Sequence, residues 1–173
     1  MLVRTLLGSC LAAQLQEVYL EIVLLVSDLT GFAKKYENGL LKMETNIPEI
    51  VEEVTKAFNS YEKALAENDV KMINYLFWND KKTLRYGPNG TLVSHEVLAN
   101  FRRNRPTDGV QRVLVNSSIV TFGRDCAIAN TEANYKDIDG TGRQSQTWIR
   151  TTEGWKIVSA HVSFIQRNDR IGF

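Results

Sequence analysis

The sequence predicts an α+β domain in which helices come first and an antiparallel sheet follows. Three observations carry that expectation. Between residues 46 and 69 the apolar side chains Ile50, Val54, Ala57, Phe58, Tyr61, Ala64 and Leu65 recur at three- and four-residue steps, giving one buried helix face. From about residue 110 onward the texture becomes β-rich, in four runs separated by "GRD", "IDGTG" and "TEG", breaks of hairpin length with Gly at the bends. The helices precede the strands rather than alternating with them, which argues against a parallel sheet.

The elements follow in order. "MLVRTLLGSCLAAQ" is too short before Cys10, with one arginine, for a secretory signal. "VYLEIVLLVSDLTGF" carries Glu21 and Asp28 around an apolar run well below the ~20 residues a membrane helix needs. It predicts an amphipathic or buried helix ending near Gly39. Residues 1–42 therefore read either as an N-terminal extension outside the native domain or as a docking helix.

The domain proper is expected over residues 43–166, with 167–173 a polar tail. Its first helix has Asn46 as a candidate cap, Pro48 in the first turn, and Glu49, Glu52 and Glu53 at the positive end of the dipole. "ENDV" breaks it, and Asp69 caps a shorter second helix through "DVKMINYLFW". "TLRYGPNG" is a strand running into a turn. "SHEVLANFRRN" is a third helix, capped by Ser94 and stopped by Pro106.

Composition excludes several classes of function. The chain has 173 residues, 43% hydrophobic, with 21 basic and 20 acidic side chains and a net charge of +1, so no basic face for nucleic acid is expected. Cys10 and Cys126 make no disulfide framework, and a reducing cytoplasm is the expected compartment. His95 and His161 lack neighbours at metal-ligand spacing, so neither a metal nor another cofactor is expected. There is no G-x-S-x-G elbow and no Gly-rich phosphate loop. Cys126, beside Asp125, is not in the electropositive setting of a reactive thiolate.

The candidates for chemistry are few. Tyr61 falls on the apolar helix face, where its ring is buried and its hydroxyl needs a partner: a core tyrosine, or a functional phenol. Arg85 lies between Leu84 and Tyr86, and either faces solvent or faces a pocket with Thr83. In a pocket, its planar fork of donors suits a carboxylate or ureide oxygens, and its charge favours a nearby phenolate. His161 shares strict alternation with Trp155 and Ile157, so it points inward if they do. On the preceding strand, Gln144, Gln146 and Trp148 share one face and Arg143, Ser145 and Thr147 the other; an aromatic with two amides suits a small planar ligand. Arg102 and Arg105 are expected to be solvated, and Glu132 to belong to a surface pair.

The segments "YEKALAENDVKMINYLFWND", "TLRYG", "FRRNRP", "GRQSQTWIR" and "EGWKIVSAHVS", in this order and spacing, resemble the AtzH-like family, which includes the oxalurate-catabolism protein HpxZ. The likeness covers about residues 46–165, leaving the first segment without a counterpart. It implies the cone-shaped fold of the SnoaL-like, nuclear transport factor two-like superfamily: a curved antiparallel sheet and three helices around one pocket, commonly in homodimers. It also implies pocket positions for Tyr61 and Arg85, the expected catalytic residues, beside which strand alternation offers His161, Gln146 and Trp148 as candidates to orient the substrate. The implied function is cytoplasmic, cofactor-independent breakdown of a small anionic ureide or amide by hydrolysis with decarboxylation. The alternative is a binding or accessory subunit of a separate amidase.

Overall fold

The computed structural model describes residues 16, 21–30, 43–104, 110–136 and 139–166. The chain falls into two compact units, Met1–Met43 and Glu44–Phe173. In the first, residues 21–30 are helical, and Leu24, Leu25 and Leu29 are exposed, so this stretch is not a buried helix. The expected helix end near Gly39, the stop at Pro106 and the tail 167–173 lie outside the described residues.

The second unit is built from α1 (Pro48–Ala66), α2 (Val70–Leu76), β1 (Leu84–Gly87), β2 (Gly90–Val93), α3 (His95–Arg103), β3 (Arg112–Phe122), β4 (Cys126–Tyr135), β5 (Gly140–Thr151) and β6 (Gly154–Gln166). Pro48 opens α1, where a missing N–H costs nothing. Asn46 does not cap this helix. It sits at φ 57°, and its side chain accepts from the Thr121 amide at 3.1 Å, tying the helix entry to β3. Asp69 caps α2 by accepting from the Met72 amide, and Ser94 caps α3 by accepting from the Val97 amide.

The strands form one six-stranded sheet in the order β2-β1-β6-β5-β4-β3. Strands β3 to β6 make the expected antiparallel meander. Two features depart from the sequence reading: residues 90–93 form a short strand completing a hairpin with β1, and β1 joins β6 in parallel. Parallel pairing follows from the path of the chain. Phe77 leaves α2 alongside Ile157, and the chain continues in the same direction down β6 until Arg85 stands beside Ala160.

The inner face of the sheet is laid out in cross-strand rows. Ala127, Trp148 and Ile157 form one; Ala129, Gln146 and Ala160 the next; then Thr131, Gln144 and Val162; then Ala133, Gly142 and Phe164. Against the first row pack Tyr61 and Phe58 of α1 with Ile73, Leu76 and Phe77, all buried. The Tyr61 ring meets Trp148 edge-on at 6.5 Å and Phe77 at 6.2 Å, geometries that add to the apolar burial.

Candidate functional site

Beyond the Gln144 row the helices and the sheet enclose a cavity of about 470 Å³. Its apolar wall comes from Leu65, Ile73, Leu98, Phe101, Val162 and Phe164, and its polar wall from Tyr61, Arg85, Arg102, Arg112, Tyr135 and Gln144. Among the described lining residues there is no Asp, Glu or His.

Each arginine has a local cause for its position. Arg85 is in register with Ala160, whose side chain is buried on the inner face, while Tyr86 is in register with the exposed His161. Alternation therefore sends Arg85 inward and Tyr86 out. Gly87 seats the guanidinium: a Cβ on that residue would come within 2.5 Å of Arg85 Nη1. Arg85 Cζ also lies 5.7 Å from the Phe101 ring centroid.

Arg102 is not solvated, contrary to the sequence expectation. It is 5% exposed, stacks 4.0 Å over the Phe77 ring and donates to Asn74 Oδ1 at 2.8 Å. The signal was present in the sequence: Arg102 lies four residues after Leu98, on the same helix face. Arg105 lies outside the described residues.

Arg112, absent from the sequence-based candidates, is held by an ion pair. Its Nη2 reaches both Glu62 carboxylate oxygens, at 2.5 and 2.6 Å, and its Nη1 donates to the Tyr135 hydroxyl at 3.0 Å. Burial opposes the charge, but Glu62, with Tyr135 and Tyr61, outweighs it and raises the Arg112 pKa. With the Arg112 side chain buried and that of Glu62 partly so, Glu62 neutralises one of the three cations from behind the wall.

Tyr61 is 6% exposed and lines the same cavity as Arg85. Burial raises its pKa; Arg112, Arg102 and, least, Arg85 pull the other way without overcoming it. The arginines therefore do not produce a resting phenolate. At neutral pH Tyr61 is a phenol, a donor of hydrogen bonds and protons, surrounded by charges able to offset a phenolate formed transiently.

The other candidates are placed differently. His161 is exposed on the outer face, edge-on to Tyr86 at 5.9 Å. The cause is a β-bulge: Ile157 pairs with Trp148 and Ser159 with Thr147, leaving Val158 as an extra residue. Trp155 and Ile157 face inward before the bulge, Ala160 and Val162 after it, and His161 is turned out. The Gln144, Gln146 and Trp148 face is the inner one, yet Gln146 and Trp148 lie in the core at 1% and 0% exposure rather than on the cavity wall. Gln144 is the member of that face that lines the cavity. Glu132 forms the expected surface pair, with Arg143 at 2.9 Å. Among the described residues no cluster of His, Cys, Asp or Glu could hold a metal, and no helix is long and apolar enough to cross a membrane.

The AtzH-like family model matches residues 43–168. The chain belongs to the AtzH-like family. A protein of unknown function from Pectobacterium atrosepticum is 44% identical and superposes with a TM-score of 0.69, over 72% of this chain and 100% of that one. A cystatin-like fold protein from Burkholderia xenovorans is 41% identical, with a TM-score of 0.69 over 72% of this chain and 98% of that one. A nuclear transport factor two-like superfamily protein from Salmonella enterica, at 23% identity and a TM-score of 0.55 over 72% of this chain and 98% of that one, shares the fold. No curated protein matches. The architecture is thus the mixed α+β fold of the nuclear transport factor two-like and cystatin-like proteins, with a curved six-stranded sheet.

Proposed function

We propose that this AtzH-like protein binds and breaks down a small carboxylated ureide or amide, of the oxalurate or carboxylated-urea type, without a cofactor. The observation that supports it is one cavity walled by three guanidinium groups and a buried phenol, with no carboxylate among its described lining residues. Such a wall favours an anion, and guanidinium forks match carboxylate oxygens. The apolar remainder excludes water and strengthens those charges.

In this reading Arg85 and Arg102 hold the substrate carboxylate. Water adds to the amide carbonyl, and the guanidinium charge offsets the developing oxyanion. The Tyr61 hydroxyl delivers a proton to the departing nitrogen; proton delivery to a carbamate nitrogen likewise releases carbon dioxide. The phenolate left behind is offset by the surrounding arginines and takes up the proton that the attacking water releases, which restores the phenol. Glu62 acts indirectly, by fixing Arg112.

The lack of a general base among the described lining residues favours a second reading, in which the same cavity carries the ureide for a separate amidase. One experiment separates the two. Purified protein is incubated with oxalurate and with carboxylated ureas, and released ammonia and carbon dioxide are measured. Release by this chain alone supports catalysis, and release only after an amidase is added supports the accessory role. No release and no binding by calorimetry would refute both.

A further inference from the structure

The cavity's uncharged wall holds polar groups that its cationic wall does not explain. Gln144 lines the cavity and is 5% exposed, and its Nε2 has no hydrogen-bond partner among the described residues. Opposite it on β4, the Thr131 hydroxyl is likewise without a partner. One step deeper on the same face, between Ala129 and Ala160, neither amide atom of Gln146 has a partner among the described residues. Buried polar atoms in folded proteins are nearly always satisfied. With Trp148 Nε1, four side chains in three adjacent rows carry atoms without a partner among the described residues. Gln144 alone of them lines the cavity, where a partner can arrive from outside the chain.

We propose that Gln144, backed by Thr131 and Gln146, is the specificity-determining residue of the cavity, selecting a guest that carries an amide or ureide group beside its carboxylate. The inference rests on the anion-binding reading above and adds what is recognised at the uncharged end. A glutamine side chain offers one donor end and one acceptor end, and a half-turn about its last torsion exchanges them. It therefore pairs with a group presenting both N–H and C=O. A hydrocarbon chain of the same size leaves it unpaired in the closed site, and sites built on a hydrogen bond reject analogues lacking its partner most strongly.

The test compares two matched probes by calorimetry: N-carbamoylglycine and isocaproate, its hydrocarbon counterpart with the same carboxylate and heavy-atom skeleton. Wild-type protein is expected to favour N-carbamoylglycine by about tenfold or more. Gln144→Met should remove that preference by weakening N-carbamoylglycine alone, whereas Arg85→Gln should weaken both probes. Gln144→Met removes a buried amide nitrogen that has no partner among the described residues, so its melting temperature should stay close to that of wild type. Gln144→Asn, with a shorter reach, is the second variant and should lose most of the preference. Equal affinity for the two probes in wild type, or a preference that survives both substitutions, overturns the role of Gln144 and leaves the anion site standing. Failure of wild type to bind either probe overturns both.

Discussion

The two ends of the sheet's inner face follow one alternation and reach opposite chemistry. At one end Trp148, fully buried, lies between Ala127 and Ile157 under the rings of Tyr61 and Phe77. Four residues earlier on the same strand, Gln144 borders a cavity that also receives Arg85, Arg102 and Arg112. The difference lies in what covers the sheet. Aromatic rings lie over Trp148, whereas around Gln144 side chains from all three helices and from both sheet edges stand back around a cavity. Tyr61 belongs to both ends, its ring to the core and its lining surface to the cavity.

Substitutions should separate these ends. The largest effect is expected at their junction: Tyr61→Phe keeps the ring, so the protein should fold normally while turnover of a ureide substrate falls roughly a hundred- to ten-thousandfold in steady-state kinetics. Unchanged turnover would remove Tyr61 from the chemistry. Next, Trp148→Ala should cost about 3–5 kcal/mol in denaturant unfolding, the range for a large buried aromatic. Glu62→Ala tests the cavity end and should cost about 3 kcal/mol, because it strands the buried Arg112 charge.

A smaller effect concerns pH. The Tyr61 pKa is raised on folding, so the native state keeps this proton where the unfolded chain has lost it. The corresponding stability is whole below about pH 10 and fades as pH rises through the native value. Tyr61→Phe should flatten that alkaline decline in thermal melts; an unaltered slope would contradict the assignment. Smallest of all, His161→Ala on the outer face should change stability by less than about 1 kcal/mol and leave ligand affinity untouched.

Much of this comparison was legible in the sequence. The caps at Asp69 and Ser94, the helix face bearing Tyr61 and the four-strand meander are local patterns, and local physics produces them. Arg85 was undecided because a strand of four residues has two faces and only its register against Ala160 selects one. Arg112 and Tyr135 are 23 positions apart and meet only once β3 pairs with β4. Arg102 was misjudged as one charge in a basic run, although helical spacing from Leu98 had marked it as inward. His161 was misplaced for a different reason: period-two counting assumes an unbroken strand, and this one contains a bulge.

That bulge acts on β6 as a single inserted letter acts on a reading frame. Upstream of Val158, odd-numbered residues look into the domain; downstream, even-numbered ones do. Excising Val158 would only smooth the strand, leaving Ser159 opposite Thr147, Ala160 opposite Gln146 and His161 outside. Pairing β6 without the bulge while keeping Val158 would bring His161 toward the interior and turn Val162 and Phe164 away from the cavity they now line. The composition of this chamber thus depends on an irregularity of the backbone that lines none of it.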